Sequence, residues 1–66
     1  MSRKDAIKKL KNLRKTRGVT VWGLAKSLGV RFQDLYYIES GKRKPTLKVA
    51  VLLEEKCGIP CGAWLN

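Results

Sequence analysis

Between residues 20 and 39 the apolar positions fall into two short helical rows separated by a glycine. Leu24, Ala25 and Leu28 stand at i, i+1 and i+4, the spacing that gathers three side chains on one face of a helix. Gly29 closes that row, as a residue that takes positive φ at no steric cost. Leu35 and Ile38 then resume the apolar spacing, while Gln33 and Tyr37, four apart, lie on a different face. The second helix therefore has one side to bury and one to present. Ala25 falls where the two helices cross, where a small side chain lets the backbones approach, and Val30 supplies an apolar plug for the turn.

The same reading extends in both directions. Residues 3–17, RKDAIKKLKNLRKTR, form a first helix stopped by Gly18, with Ala6, Ile7, Leu10 and Leu13 facing inward. Lys4, Lys8, Lys11 and Lys15 make a stripe elsewhere, either a solvated face or part of an electrostatic footprint. Arg14 falls inside the apolar arc, where an unpaired charge costs several kcal/mol, so it needs a partner. Thr20 suits the cap of the second helix, and Gly23 weakens that helix by about 1 kcal/mol relative to alanine. Trp22 either covers the edge of the core, as the burial of large aromatics favours, or forms an exposed patch for a partner. The third helix begins near Arg31 or Phe32 and ends by Ser40-Gly41, with Asp34 placed at its N-terminal dipole. Thr46 caps a fourth helix with Leu47, Ala50, Val51, Leu52, Leu53 and Cys57 turned inward, and the tail from Pro60 to Asn66 adds one more turn.

Two helices hinged at a glycine outline a helix-turn-helix. Leu24, Ala25, Leu28, Gly29, Val30, Leu35, Ile38 and Glu39, followed by Gly41, Lys42 and Pro45, resemble the lambdoid repressor and Cro (XRE-like) helix-turn-helix family. Upstream Leu13, Arg14 and Gly18 extend the resemblance, which covers roughly residues 10 to 65. It implies an all-α, compact bundle of about five short helices, a lambda-repressor-like DNA-binding domain spanning 1–66 with its helix-turn-helix at about 20–40. It also implies that Arg14 pairs with Glu39 as a structural tie, and that the loop from Gly41 to Pro45 clamps the phosphate strand. In the family the tail forms the dimer contact, which places Trp64 and Leu65 on a dimer or partner surface, a role compatible with a lid over the core. Two departures stand out: the position that usually carries glutamine is Val21, and the usual acidic pair is Trp22-Gly23.

Composition agrees with a nucleic-acid partner. Fifteen Lys and Arg against five Asp and Glu give a formal charge of +10, eight of the basic residues lying between residues 3 and 17. No stretch approaches the roughly 20 apolar residues a membrane span needs, and the basic N-terminus has no apolar segment behind it. A cytoplasmic protein is expected. Sixty-six residues bury only about 60% of the unfolded surface, for a stability on the order of 5 kcal/mol. With no histidine and two cysteines, Cys57 and Cys61, a four-ligand metal site is not expected within one chain, and neither is a cofactor. Cys57 reads as a small buried apolar residue and Cys61 as a bystander.

The chemistry of the outward positions completes the expectation. Gln33 can bond adenine bidentately, Arg31 can do the same to guanine or grip a phosphate, and Phe32 can pack on a thymine methyl or turn into the core. Arg31, Phe32, Gln33 and Tyr37 are the candidate base readers, Phe32, Gln33 and Tyr37 being the positions the resemblance carries over. Thr20, Tyr36, Lys42, Arg43 and Lys44 are the candidate backbone contacts. The reading is a sequence-specific, double-stranded DNA-binding regulator, a Cro-type minimal homodimer without a second domain, pairing weakly on DNA and blocking a promoter. One rival is an antitoxin-type protein that also binds a protein partner through Trp22, Trp64 and Leu65; another is a non-specific basic nucleic-acid binder. With no histidine, no clustered carboxylate pair and no phosphate-cradling glycine motif, an enzyme is not expected.

Overall fold

Helix α1 spans Arg3–Arg17, α2 Val21–Leu28, α3 Phe32–Glu39 and α4 Leu47–Cys57, and a 3-10 turn over Cys61–Leu65 closes the chain. The structure is a computed structural model that describes residues 2–65, the side chain of Leu65 lying outside the described residues. Among the described residues there is no strand. The expected count of about five short helices is corrected to four α-helices, because the last segment is a 3-10 turn. Pro60 separates it from α4, and five residues that include Gly62 are too few for a settled α-helix.

Side-chain caps set three of the four helix starts. Ser2 and Asp5 exchange hydrogen bonds across the first turn of α1, with Asp5 N donating to Ser2 Oγ at 3.2 Å. Thr20 Oγ1 accepts from Gly23 N at 3.0 Å, and Thr46 Oγ1 from Val49 N at 3.3 Å. At the turn between α2 and α3, Gly29 has φ +75°, which lets its own N–H and that of Val30 reach back to Lys26 O and Ala25 O at 3.2 and 3.0 Å.

The core is shared by every element. Leu10, Leu24, Leu35, Leu53, Ile59 and Trp64 are fully enclosed, with Ala6, Ala25, Leu28, Ile38, Ala50, Cys57 and Ala63 around them. Three aromatic and aliphatic expectations are corrected here. Trp64, placed on a dimer surface and compatibly as a lid over the core, is only 1% exposed and so serves as the lid alone, the closing turn packing on α1 and α4. Trp22, favoured as a cover of the core, is instead 62% exposed, because it lies beside Lys26 at the margin of the buried face of α2, bordering a cleft with Ala25 rather than entering the row of Leu24 and Leu28. Leu47 and Val51 are also exposed, since α4 buries the row Ala50, Leu53 and Cys57 and those two lie outside it.

Polar contacts fasten α1 to the rest. Arg14 Nε lies 3.3 Å from Glu39 Oε2, the carboxylate being 5% exposed. These two atoms are misaligned for a hydrogen bond, so the contact is an ion pair, and Arg14 also donates from Nη1 to Val19 O at 3.3 Å. Lys9 and Arg17 donate to Gly58 O and Lys56 O at the C-terminal end of α4, where cations complement the helix dipole. Replacing Arg14 with alanine leaves Glu39 buried without its counter-charge. The expected loss is about 2–3 kcal/mol, reduced by the partial exposure of Arg14. A urea denaturation curve reads it directly, and an unchanged midpoint would remove the pair from the stability of the fold.

Candidate nucleic-acid interface

The outward face of α3 is built on its buried one. Leu35, Ile38 and Glu39 are enclosed against α1 and α2, which turns Arg31, Phe32, Gln33 and Tyr36 to the surface. Phe32 is 42% exposed and Tyr36 50%, so Phe32 is not a core residue. Their rings lie 6.0 Å apart, and the Tyr36 ring meets that of Tyr37 edge-on at 6.0 Å. The three aromatics thus form a continuous row along the helix, flanked by Arg31 at its start and by Gln33 beside it.

Tyr37 joins this row to the basic loop. Its carbonyl oxygen accepts from Lys42 N at 3.0 Å, Arg43 N at 3.3 Å and Ser40 Oγ at 3.1 Å. The side chains return to its ring, Arg43 Cζ at 5.2 Å and Lys42 Nζ at 5.9 Å from the centroid, within cation–π range. Gly41, at φ +80°, makes this return possible, and a Cβ placed there would sit 3.8 Å from Ile7 Cδ1 on α1. Lys44 is exposed beyond the loop and lines a cleft with Asp34, Arg43 and Pro45. Cations on this loop are therefore positioned by backbone and ring contacts.

Two neighbouring groups enlarge the surface. Lys11 lines a cleft with Tyr36, Glu39 and Ser40, which brings the middle of the α1 lysine stripe to the C-terminal end of α3. Trp22, with Lys26 Nζ 5.7 Å from its ring, borders Val30 and Phe32 at the other end. Lys11 was legible only as one lysine of a stripe, since its nearness to Tyr36 depends on how α1 packs on α3. Thr20 is exposed, but its hydroxyl oxygen is engaged as the α2 cap.

The thiols stand apart from this surface. Burial pushes the Cys57 thiol up, and Cys61 is pushed up chiefly by the hydrogen bond it donates from Sγ to Glu54 Oε2 at 2.7 Å. Among the described residues no group of three or more His, Cys, Asp or Glu could hold a metal ion, and no helix is long and apolar enough to cross a membrane.

A helix pair hinged at Gly29, presenting its second helix beside a basic loop, defines the helix-turn-helix class of protein. A family model described as helix-turn-helix matches residues 10–64, and the chain belongs to that family, the Cro and repressor type of DNA-binding regulatory domain. No curated protein and no solved structure gives a significant match.

Cations held against Tyr37 give a direct expectation. Lys42→Ala and Arg43→Ala should each weaken binding to all duplex sequences alike and flatten the salt dependence by about one unit. Titrations of a selected and a scrambled duplex at several salt concentrations measure this. A loss confined to one sequence would place these residues among the base readers.

Proposed function

We propose that residues 1–66 act as one sequence-specific DNA-binding domain that regulates transcription as a homodimer, repressing by occlusion of the promoter. The mechanism sets the two α3 helices of the dimer in successive major grooves, about 34 Å apart, where bound protein excludes polymerase. The observation that carries this reading is the outward face of α3, which presents Arg31, Phe32 and Gln33 at its start and, toward its end, the half-buried Tyr37, onto whose ring Lys42 and Arg43 of the following loop are folded back.

The roles follow from chemistry. Gln33 bonds an adenine edge through its amide, and Arg31 takes guanine O6 and N7 or the adjoining phosphate. Phe32 and Tyr37 supply apolar contact to thymine methyl groups, with the Tyr37 hydroxyl free to donate or accept. Thr20, Tyr36, Lys42, Arg43 and Lys44, joined by Lys11, hold phosphates and set register without reading sequence. The protein works in the cytoplasm, where its DNA is. A second reading, in which the chain also binds a protein partner as antitoxins do, is favoured by the exposed indole of Trp22.

Selection from randomised duplexes at about 150 mM salt, where phosphate-only binding is suppressed, should enrich an inverted repeat. On that site Gln33→Ala and Tyr37→Ala should each cost about 1–3 kcal/mol, with little effect on random DNA. Equal losses on both duplexes would contradict base reading, and selection without enrichment would favour a non-specific binder.

A further inference from the structure

The dimer proposed above needs a contact surface, and the buried Trp64 does not supply one. Among the described residues the most exposed large aliphatic side chain lies elsewhere: Leu47 is 76% exposed, and Val51, one helical turn along α4, is 37% exposed. A single apolar side chain in water is ordinary, but these two stand one turn apart and form a contiguous apolar strip, the kind of surface that meets a partner. The charges beside them restrict what that partner can be.

In a chain of net charge +10, a second copy is repelled wherever basic residues dominate. Helix α4 differs. Lys48 and Lys56 balance Glu54 and Glu55 within it, and among the described residues these two glutamates are the only exposed acidic pair. Of the other acids, Glu39 is buried against Arg14, Asp5 accepts from Ser2 N, and Asp34, in the first turn of α3, lines a cleft that holds both Arg31 and Lys48. Lys48 and Glu55 make no ion pair or side-chain hydrogen bond among the described residues. They are seven residues apart, so they project from the same side of the helix yet stand about 10 Å apart along its axis, too far to pair with each other.

From these observations we infer that the exposed face of α4 is the self-association surface, on which α4 of a second copy packs antiparallel about a two-fold axis near Val51. In that arrangement Lys48 of each copy faces Glu55 of the other, Val51 is covered between the two charge pairs, and Leu47 lies just outside them, against the last turn of the partner helix beside the stem of its Lys56. A two-fold contact must be self-complementary, and a lysine and a glutamate placed evenly about an apolar centre satisfy that requirement. The inference rests on the dimeric reading of function and names its interface. Stable dimers bury about 800 Å² per partner, roughly a fifth of the 4429 Å² surface of this chain, and the side of one short helix offers less. Association is therefore weak in solution and occurs on DNA, which also offsets the repulsion between two cationic chains.

The test is a charge swap read as cooperativity. Wild type, Lys48→Glu, Glu55→Lys and the double variant are titrated onto the selected inverted repeat and onto a duplex carrying a single half-site, with circular dichroism to verify folding. The half-site duplex corrects for direct effects of charge on DNA affinity. Each single variant should lose at least tenfold in cooperativity by placing like charges together, and the double variant should recover most of it. Leu47→Ser should lower cooperativity without altering charge. If wild type is cooperative and all these variants remain so, the dimer forms through another face and only this inference falls. If wild type shows no cooperativity on the inverted repeat, the dimeric reading falls with it.

Discussion

Everything at the proposed DNA surface depends on holding two eight-residue helices at a fixed angle. Helices this short are marginal alone, because the cost of nucleation is spread over too few hydrogen bonds. Their geometry comes from the corner at Gly29, where positive φ lets the chain reverse and two backbone N–H groups return to Ala25 and Lys26. Leu24, Leu28, Leu35 and Ile38 then share one core, and Glu39 at the end of α3 is drawn to Arg14 of α1. The third helix is thus fixed at its start by a turn, along its length by apolar packing and at its end by an ion pair.

That rigid placement gives the electrostatics a direction. Several basic residues are spent on the fold itself: Arg14 pairs with Glu39, and Lys9 and Arg17 close the C-terminal end of α4. The remaining charge is distributed unevenly. Lys42 and Arg43 are folded onto Tyr37, Lys11 stands beside Tyr36, and α4 is close to neutral. A long-range field that attracts any polyanion is therefore combined with a short, aromatic-rich face of fixed geometry, and only the second can distinguish sequences.

Periodicity and caps made the helices legible in the sequence. Gly18 and Gly29 marked the stops, Thr20 and Thr46 the starts, and the arc of Ala6, Ile7, Leu10 and Leu13 gave the inner face of α1. The tryptophans show the limit: Trp22, favoured as a cover of the core over an exposed patch, lies in solvent, and Trp64, expected on a dimer surface as well as over the core, is enclosed. Local pattern has little hold on either: Trp22 shares its side of α2 with Lys26, and Trp64 is buried because α1 and α4 leave a space for it that no short window encodes. The same limit explains Leu47 and Val51, since which row of an apolar helix is covered depends on where its neighbours stand. At the candidate site, residue chemistry pointed to Gln33, Arg31 and the basic loop. The folding of that loop onto Tyr37 and the arrival of Lys11 are tertiary facts.

If DNA is held by the outward face of α3 and the loop after it, an amide NMR titration with a selected duplex shows the contact residue by residue. The largest shifts should fall on residues 31–37 and 41–44, in slow exchange, with the outer lysines Lys4, Lys8 and Lys15 shifting little. The largest shifts on that α1 stripe, in fast exchange and equal for a scrambled duplex, would contradict it.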